Sequence, residues 1–320
     1  MLRKTGLLTG GAASGILLNG CKDNSDSPEH PVKTQATPLA EETDSADRSL
    51  AEHPVCSGDG SAQKGHLDSS AQAGMVFTVA QSKRLIAKAV VEMPIVKEAL
   101  ENGQVIVTRG TTNTYVAEEL IGKSIEPGVF VTGRIIPAKE DDPFAGVDRM
   151  REVVFVKGKQ DPEMTLNKAM QQLAPGDVVI KGANALDYQN KTAAVMIGAP
   201  DGGTTGRIMP YVVARKAHLV IPVGLEKQIS ADVMQMHLKM REPMESLNSI
   251  PSMFLLTGHI VTELEALKML ADVEPFQVAG GGIGGAEGGV WLIVRGSREA
   301  VEKALKLADR IHSEPAFCRR

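Results

Sequence analysis

Asp177–Lys227 reads DVVIKGANALDYQNKTAAVMIGAPDGGTTGRIMPYVVARKAHLVIPVGLEK, and the alternation within it decides the fold. Three short apolar runs, Val178–Ile180, Ala193–Ile197 and Leu219–Val223, have the length and β-branched content of buried strands. Each runs into a small polar loop that carries glycine: Gly182-Ala-Asn-Ala, Asp201-Gly-Gly-Thr-Thr-Gly and Gly224-Leu-Glu-Lys. Apolar strands that end in such loops build the ligand crevice of an open α/β sheet. The predicted class is α/β, an open and mainly parallel sheet with helices on both faces. The crevice is expected where these strands end.

Upstream, Thr78–Glu101 carries Leu85, Ile86, Ala89, Val90, Met93, Val96 and Leu100 near a 3.6-residue period, which predicts a helix kinked or split at Pro94. Val105–Thr108 reads as a strand, Arg109–Thr114 as a loop and Tyr115–Leu120 as a helix. Gly110, Thr111, Thr112, Asn113 and Thr114 therefore open a helix. Free N–H groups and a partial positive charge at that position suit a phosphate or carboxylate. The competing reading is that Thr112 or Thr114 caps its own helix. Val129–Ile136 and Glu152–Val156 read as two more strands joined by a polar loop, and Met164–Leu173 as a short helix. Thr204–Lys216 is predicted to be a helix interrupted by Pro210, entered from Asp201-Gly-Gly and so a second candidate anion cradle.

Downstream, Phe254–Leu256, Val261–Leu270, Phe276–Ala279, Gly289–Val294 and Arg298–Ile311 follow a β-α-β-β-α order. This predicts a C-terminal ferredoxin-like α+β unit over 251–320. Gly280-Gly-Gly-Ile-Gly-Gly285 has dinucleotide-loop spacing, but a strand follows it where a helix is required, so it reads as a hairpin loop and no cofactor is expected. His259 and Glu263 lie four apart, yet no third ligand accompanies them and no metal site is expected. Trp291, Met234, Met236 and Met240 read as packing residues.

The N-terminal part has a different character. Arg3 and Lys4 precede a moderately apolar stretch, and Leu18-Asn-Gly-Cys21 has the form of a bacterial lipobox. On this reading 1–21 is a signal peptide, Cys21 carries a lipid, and the protein is a membrane-anchored lipoprotein facing the periplasm or exterior. The alternative is a true start near Met75 and a cytoplasmic protein. Residues 22–74 are polar and lack periodic apolar positions, and so read as a disordered tether before an α/β ligand-binding domain over 75–250. His30, His53 and His66 within it are unclustered. A net charge of −4 without a basic block argues against nucleic acid as a partner. Cys21, Cys56 and Cys318 are too scattered for a disulfide framework.

Gly110-Thr-Thr-Asn-Thr114 and Asp177-Val-Val-Ile-Lys-Gly-Ala-Asn-Ala-Leu-Asp187 resemble the superfamily of ribose-5-phosphate isomerase type A, glucosamine-6-phosphate deaminase, CoA transferases and DeoR-type sugar-phosphate sensors. The resemblance spans about residues 78–230 and implies a Gly-Thr phosphate loop at Thr111, Thr112 and Asn113. It also implies a strand-end loop at Gly182, Ala183, Asn184 and Asp187, a glycine loop at Asp201, Gly202 and Gly203, and a lysine at Lys227. The departures bear on chemistry. Lys181 and Asn184 stand where the isomerase loop carries acids, and Gly203-Thr-Thr-Gly-Arg207 lacks the expected glutamate base. Lys181 and Arg207 make the crevice cationic, which suits holding an anion better than removing a proton.

Three expectations follow. The first is a protein that binds a small anionic metabolite, a sugar phosphate or carboxylate, through residues 110–114, Gly182, Asn184, Gly202, Gly203, Thr204, Arg207 and Lys227. The second is a sugar-phosphate isomerase-like or deaminase-like enzyme with Asp187 or Asp201 as base and Lys181 or Lys227 as electrostatic partner. The third is a structural lipoprotein without catalysis. The partners expected are the small anion, the membrane through Cys21, and a second copy of the chain.

Overall fold

The structure is a computed structural model that describes residues 70–136 and 142–317. The described residues all fall within one compact unit, Gln63–Arg320. Cys21, the expected signal segment and the tether up to residue 69 lie outside the described residues.

The chain opens with β1 (Ser70–Phe77), α1 (Val79–Glu92), α2 (Pro94–Asn102), β2 (Gln104–Val107) and α3 (Thr111–Ile121). There follow β3 (Val153–Val156), β4 (Lys159–Gln160), α4 (Leu166–Gln172), β5 (Val178–Ile180), β6 (Ala185–Asp187), β7 (Thr192–Ile197) and α5 (Gly203–Arg215). The last third holds β8 (His218–Pro222), a 3-10 turn at Leu225–Lys227, α6 (Val233–Lys239), β9 (Ser252–Leu256), β10 (His259–Val261), α7 (Glu263–Ala271), β11 (Glu274–Gly280), β12 (Val290–Ser297) and α8 (Arg298–Ile311).

The protein is mixed α/β. Its main sheet has six strands in the order β10-β8-β5-β2-β3-β4. The first four run parallel, and β3 and β4 close one edge antiparallel. Every residue of β2 and β5 is buried. A second sheet, β6-β7-β9, and a third, β1-β12-β11, are each three-stranded and antiparallel.

Local chemistry explains the helix boundaries. Thr78 forms a capping box with Gln81 at the start of α1. Pro94 ends that helix and occupies the first turn of α2, where its missing N–H has no consequence. The helix predicted over Thr78–Glu101 is therefore two helices.

Several expectations need correction. The tether was expected to reach Gly74, yet Ser70–Gly74 already pairs with Ile293–Ser297 in β1. Burial of Met75 and Phe77 at the inner end of β1 supplies the apolar anchor. Val129–Ile136 is turns, not a strand; Phe130 and Val131 are buried, and the Phe130 carbonyl accepts the Gly110 N–H at 2.9 Å. No break falls at 250, because β9 pairs with β7 and β10 with β8. The strand expected to open the C-terminal unit, Phe254–Leu256, thus belongs to another sheet, and β1 supplies the third strand beside β11 and β12. His259 lies in β10, not in the helix predicted to follow, and Glu263 opens α7. Trp291 is half exposed, as are Met234 and Met240, and none of the three is core.

Candidate functional site

The parallel strands β2, β5, β8 and β10 end on one side of the main sheet. Their continuations are Thr108–Gly110, Lys181–Gly182, Val223–Lys227 and Thr262–Glu263. The rim is assembled by hydrogen bonds between these segments.

Thr108 donates through both its N–H and its hydroxyl to the Ile180 carbonyl, each at 3.0 Å. Asn113, fully buried, donates from Nδ2 to the Thr108 carbonyl at 2.8 Å and to the Ile180 carbonyl at 3.2 Å. This bond locks the first turn of α3 onto the ends of β2 and β5. Its Oδ1 is buried and has no partner. Gly182 runs close by: a Cβ there would meet Asn113 Oδ1 at 3.5 Å and the Pro222 carbonyl at 3.6 Å. The predicted loops at 110–114 and 181–182 are therefore brought together.

Gly110 is the N-cap of α3 and offers no side chain to its first turn. Thr114 does not cap, since its hydroxyl donates back to the Gly110 carbonyl at 2.9 Å. The amides of Thr111, Thr112 and Asn113 are left to the rim, with the positive end of the helix behind them.

The strand-end segments and α1 also carry charges that act on one another and that the helix-spacing argument did not assemble. Lys181 is 9% exposed, and its Nζ donates to the Gly182 carbonyl at 3.1 Å. Burial, and secondarily the charge of Lys227, lowers its pKa from 10.5 to about 8. Lys83 of α1 is 7% exposed and is lowered to about 8, chiefly by burial, with Glu226 and Glu263 opposing the shift and Lys227 adding to it. Glu263 is fully buried at the first position of α7, where its Oε2 accepts the Leu225 N–H at 2.9 Å. Burial, and then the charge of Glu226, raises its carboxyl to about 7. Both carboxylate oxygens of Glu226 are buried without a partner, folded back over Gly224, and Glu263 Oε1 is buried beside the Ser82 hydroxyl. Among the described residues, none of Lys83, Lys181, Lys227, Glu226 and Glu263 forms a direct ion pair.

The remaining predicted residues have other occupations. Asp187 accepts the Asn190 backbone N–H at 2.9 Å and its Nδ2 at 2.8 Å, and these bonds hold its pKa below the ordinary value. A carboxylate spent closing a turn and kept ionised in this way is a poor base. Asn184 is exposed, and its Oδ1 accepts the Met196 N–H at 3.0 Å, bracing β7. Asp201 accepts the Gly203 N–H at 2.8 Å and so serves the start of α5. Gly202 and Gly203 have φ of +77° and +55°, the left-handed turn that feeds the helix. Thr204 is half-buried and Arg207 exposed on its first turns. No hydrogen bond or ion pair among the described residues ties 201–207 to 110–114 or 181–187, so the second cradle is not joined to the first. That loop follows β7, which belongs to the second sheet.

Lys83 was missed by the sequence reading, although a signal was present. It lies three residues before Ile86, four before Ala87 and seven before Val90, all buried, and so on the apolar face of α1. Among the described residues no cluster of histidine, cysteine and carboxylate side chains fits a metal. None of their helices is long and apolar enough to cross a membrane.

The chain matches no family model, no curated protein and no solved structure.

Proposed function

We propose that this protein binds a small anionic metabolite at the rim where the parallel strands end. The carrying observation is the pairing of an uncapped helix start, Thr111–Asn113, with the buried lysine Lys181 on the adjoining strand end. Main-chain amides and a buried ammonium group on adjoining segments, joined by the Asn113–Ile180 bond, favour a phosphate or carboxylate. Lys227, coupled electrostatically to Lys181, adds positive charge. A thermal-shift screen of phosphorylated and carboxylated metabolites tests this reading. Stabilisation of wild-type protein that is lost in Lys181→Met supports it; no stabilisation by any such compound refutes it.

A second reading, proton-transfer catalysis, is favoured by one observation. Glu263, with its carboxyl near neutrality beside Glu226, has the environment of an acid–base group. In that reading Glu226 and Glu263 replace Asp187 and Asp201 as candidate bases. Turnover of pentose or amino-sugar phosphates that disappears in Glu226→Gln and persists in Asp187→Asn distinguishes catalysis from binding alone.

Two further readings are retained as proposals. The packing of α1 on α3 and α7, and of α4 on α5, supports a sheet covered on both faces. The α7-β11-β12-α8 succession supports a ferredoxin-like unit with β1 in the place expected for Phe254–Leu256. A lipid on Cys21 is tested by the intact mass of the mature N-terminus.

A further inference from the structure

Seven of the ten residues from Gly280 to Gly289, where β11 turns into β12, are glycine. Ile283 is the one aliphatic side chain larger than alanine in that turn, and it is 89% exposed. The ladder meets the turn at Gly280↔Val290, and the next rung pairs Ala279 with Trp291. Trp291 is 50% exposed, and Val278, in the bulge beside it, 51%. Three unshielded apolar side chains thus gather at one end of the third sheet. Strand alternation places the rest. Val290, Leu292 and Val294 turn inward and are buried, so Trp291 and Ile293 face outward. Val76 lies opposite Trp291 and Phe276 opposite Ile293, both part-exposed on that outer face. Farther from the turn the same face becomes polar: Arg295 Nε donates to Gln72 Oε1 at 3.3 Å, and its guanidinium lies 4.9 Å from the centre of the Phe276 ring. From Phe276 to Val294 the sequence holds one charge, Glu287, whose carboxylate accepts the Gly285 N–H at 2.8 Å.

We propose that the tip of the β11–β12 hairpin is a membrane-docking element whose occupant is the surface of a lipid bilayer. Ile283, Val278 and Trp291 enter the acyl boundary. Arg295, four residues along β12 from Trp291 and so about 13 Å away, meets the phosphates. An indole at that boundary with a cation on its aqueous side follows the ordinary preference of both groups. A protein partner requires a shaped surface, and a glycine turn with one apolar side chain offers little shape; a fluid apolar layer requires only exposed apolar groups. The chain itself points to the same occupant. Leu18-Asn-Gly-Cys21 has the form of a lipidation motif, and the sequence from Lys22 to Ser69 is several times longer than β1, so a lipid on Cys21 leaves the hairpin within reach of the same bilayer. Stable anchoring takes more than one signal, and the hairpin supplies a second. The one charge at the tip is negative, so attraction to anionic headgroups does not drive the contact.

Trp291 is the single tryptophan of the chain, and its fluorescence therefore reports this contact alone. The full chain carrying Cys21→Ser, which removes the lipid acceptor, is titrated with phosphatidylcholine vesicles. The expected result is a saturable blue shift of the Trp291 emission and its quenching by lipids brominated on the acyl chain, both unchanged between low and high salt. Ile283→Asp, at a side chain that solvent already surrounds, should weaken vesicle binding about tenfold or more. Leu247→Asp, also highly exposed but outside the third sheet, should leave it unchanged. No vesicle-dependent shift overturns the proposal, as does a shift that needs anionic lipid and vanishes in high salt. A shift that follows protein concentration without vesicles assigns the face to a second copy of the chain and also overturns it. Full affinity in Ile283→Asp, or equal weakening in both variants, removes the hairpin from the contact. Each of these results leaves the anion-binding reading untouched.

Discussion

Glu263 and Lys83 make the pH dependence of stability a property of single residues. The Glu263 carboxyl is raised from 4.5 to about 7, so the folded chain keeps a proton there that the unfolded chain has lost. Its contribution is full below about pH 4.5 and is gone by about pH 7. Lys83 is lowered from 10.5 to about 8, so its contribution is full above about pH 10.5 and is lost as pH falls to about 8. The two together place the least stable window of the unliganded protein between about pH 7 and 8. Glu263→Gln keeps an acceptor for the Leu225 N–H and removes the first titration. It should gain on the order of 2 kcal/mol relative to wild type between pH 4.5 and 8. Denaturant melts at the two pH values check this, and a pH-independent difference contradicts it. Asp187 is the opposite type of residue, with its carboxylate closing the Asp187–Asn190 turn. Asp187→Ala is expected to lower the melting temperature by about 3 °C and leave phosphate affinity unchanged. Loss of binding in a folded Asp187→Ala would return that residue to the site.

The elements show which chemistry was legible in sequence. Val178–Ile180 and Leu219–Val223 form strands as expected because an uninterrupted apolar run between turn residues has few other uses. Val129–Ile136 also has apolar β-branched residues, but Gly128, at φ +88°, precedes it and Gly133 interrupts it, and only Phe130 and Val131 reach the core. The Gly110 loop was legible because strand, glycine and helix follow one another in the chain. Lys83, Glu226 and Glu263 were not, because their juxtaposition comes from α1 packing on α7 and from the Leu225–Glu263 bond, both remote in sequence. Arg84, next to Lys83, shows the structural alternative for a buried cation. Its guanidinium bonds Glu119 at 2.9 Å and Glu314 at 2.8 Å, also reaches Glu118, and lies over the Tyr115 ring. It joins α1, α3 and the segment after α8, and its charge is fully compensated. Arg84→Leu leaves carboxylates partly buried without their cation and should cost about 3 kcal/mol, with phosphate affinity retained. A neutral effect on the chemical melt contradicts the role.

At the scale of the whole molecule, the third sheet ties the ends of the described chain together. The long β1–β12 pairing runs from Ser70↔Ser297 to Phe77↔Val290, and Phe77 is fully buried beneath it. This closure was hidden in sequence, because Ser70–Gly74 is small and polar and gains its place only from a partner more than two hundred residues away. A chain beginning at Met75 forfeits the first five pairs of that ladder. It should melt about 5 °C or more below a chain that retains Ser70–Gly74. Equal melting temperatures contradict the structural weight given to β1, and with it the correction to the tether boundary.

The proposed anion seat between α3 and β5 carries the functional reading. Titration of isotopically labelled protein with inorganic phosphate, followed through backbone amide resonances, examines it most directly. The predicted result is saturable shifts centred on Thr111, Thr112, Asn113, Lys181 and Gly182, abolished in Lys181→Met. Shifts confined to the Gly202–Thr204 turn, or no saturable shift at any amide, contradict it.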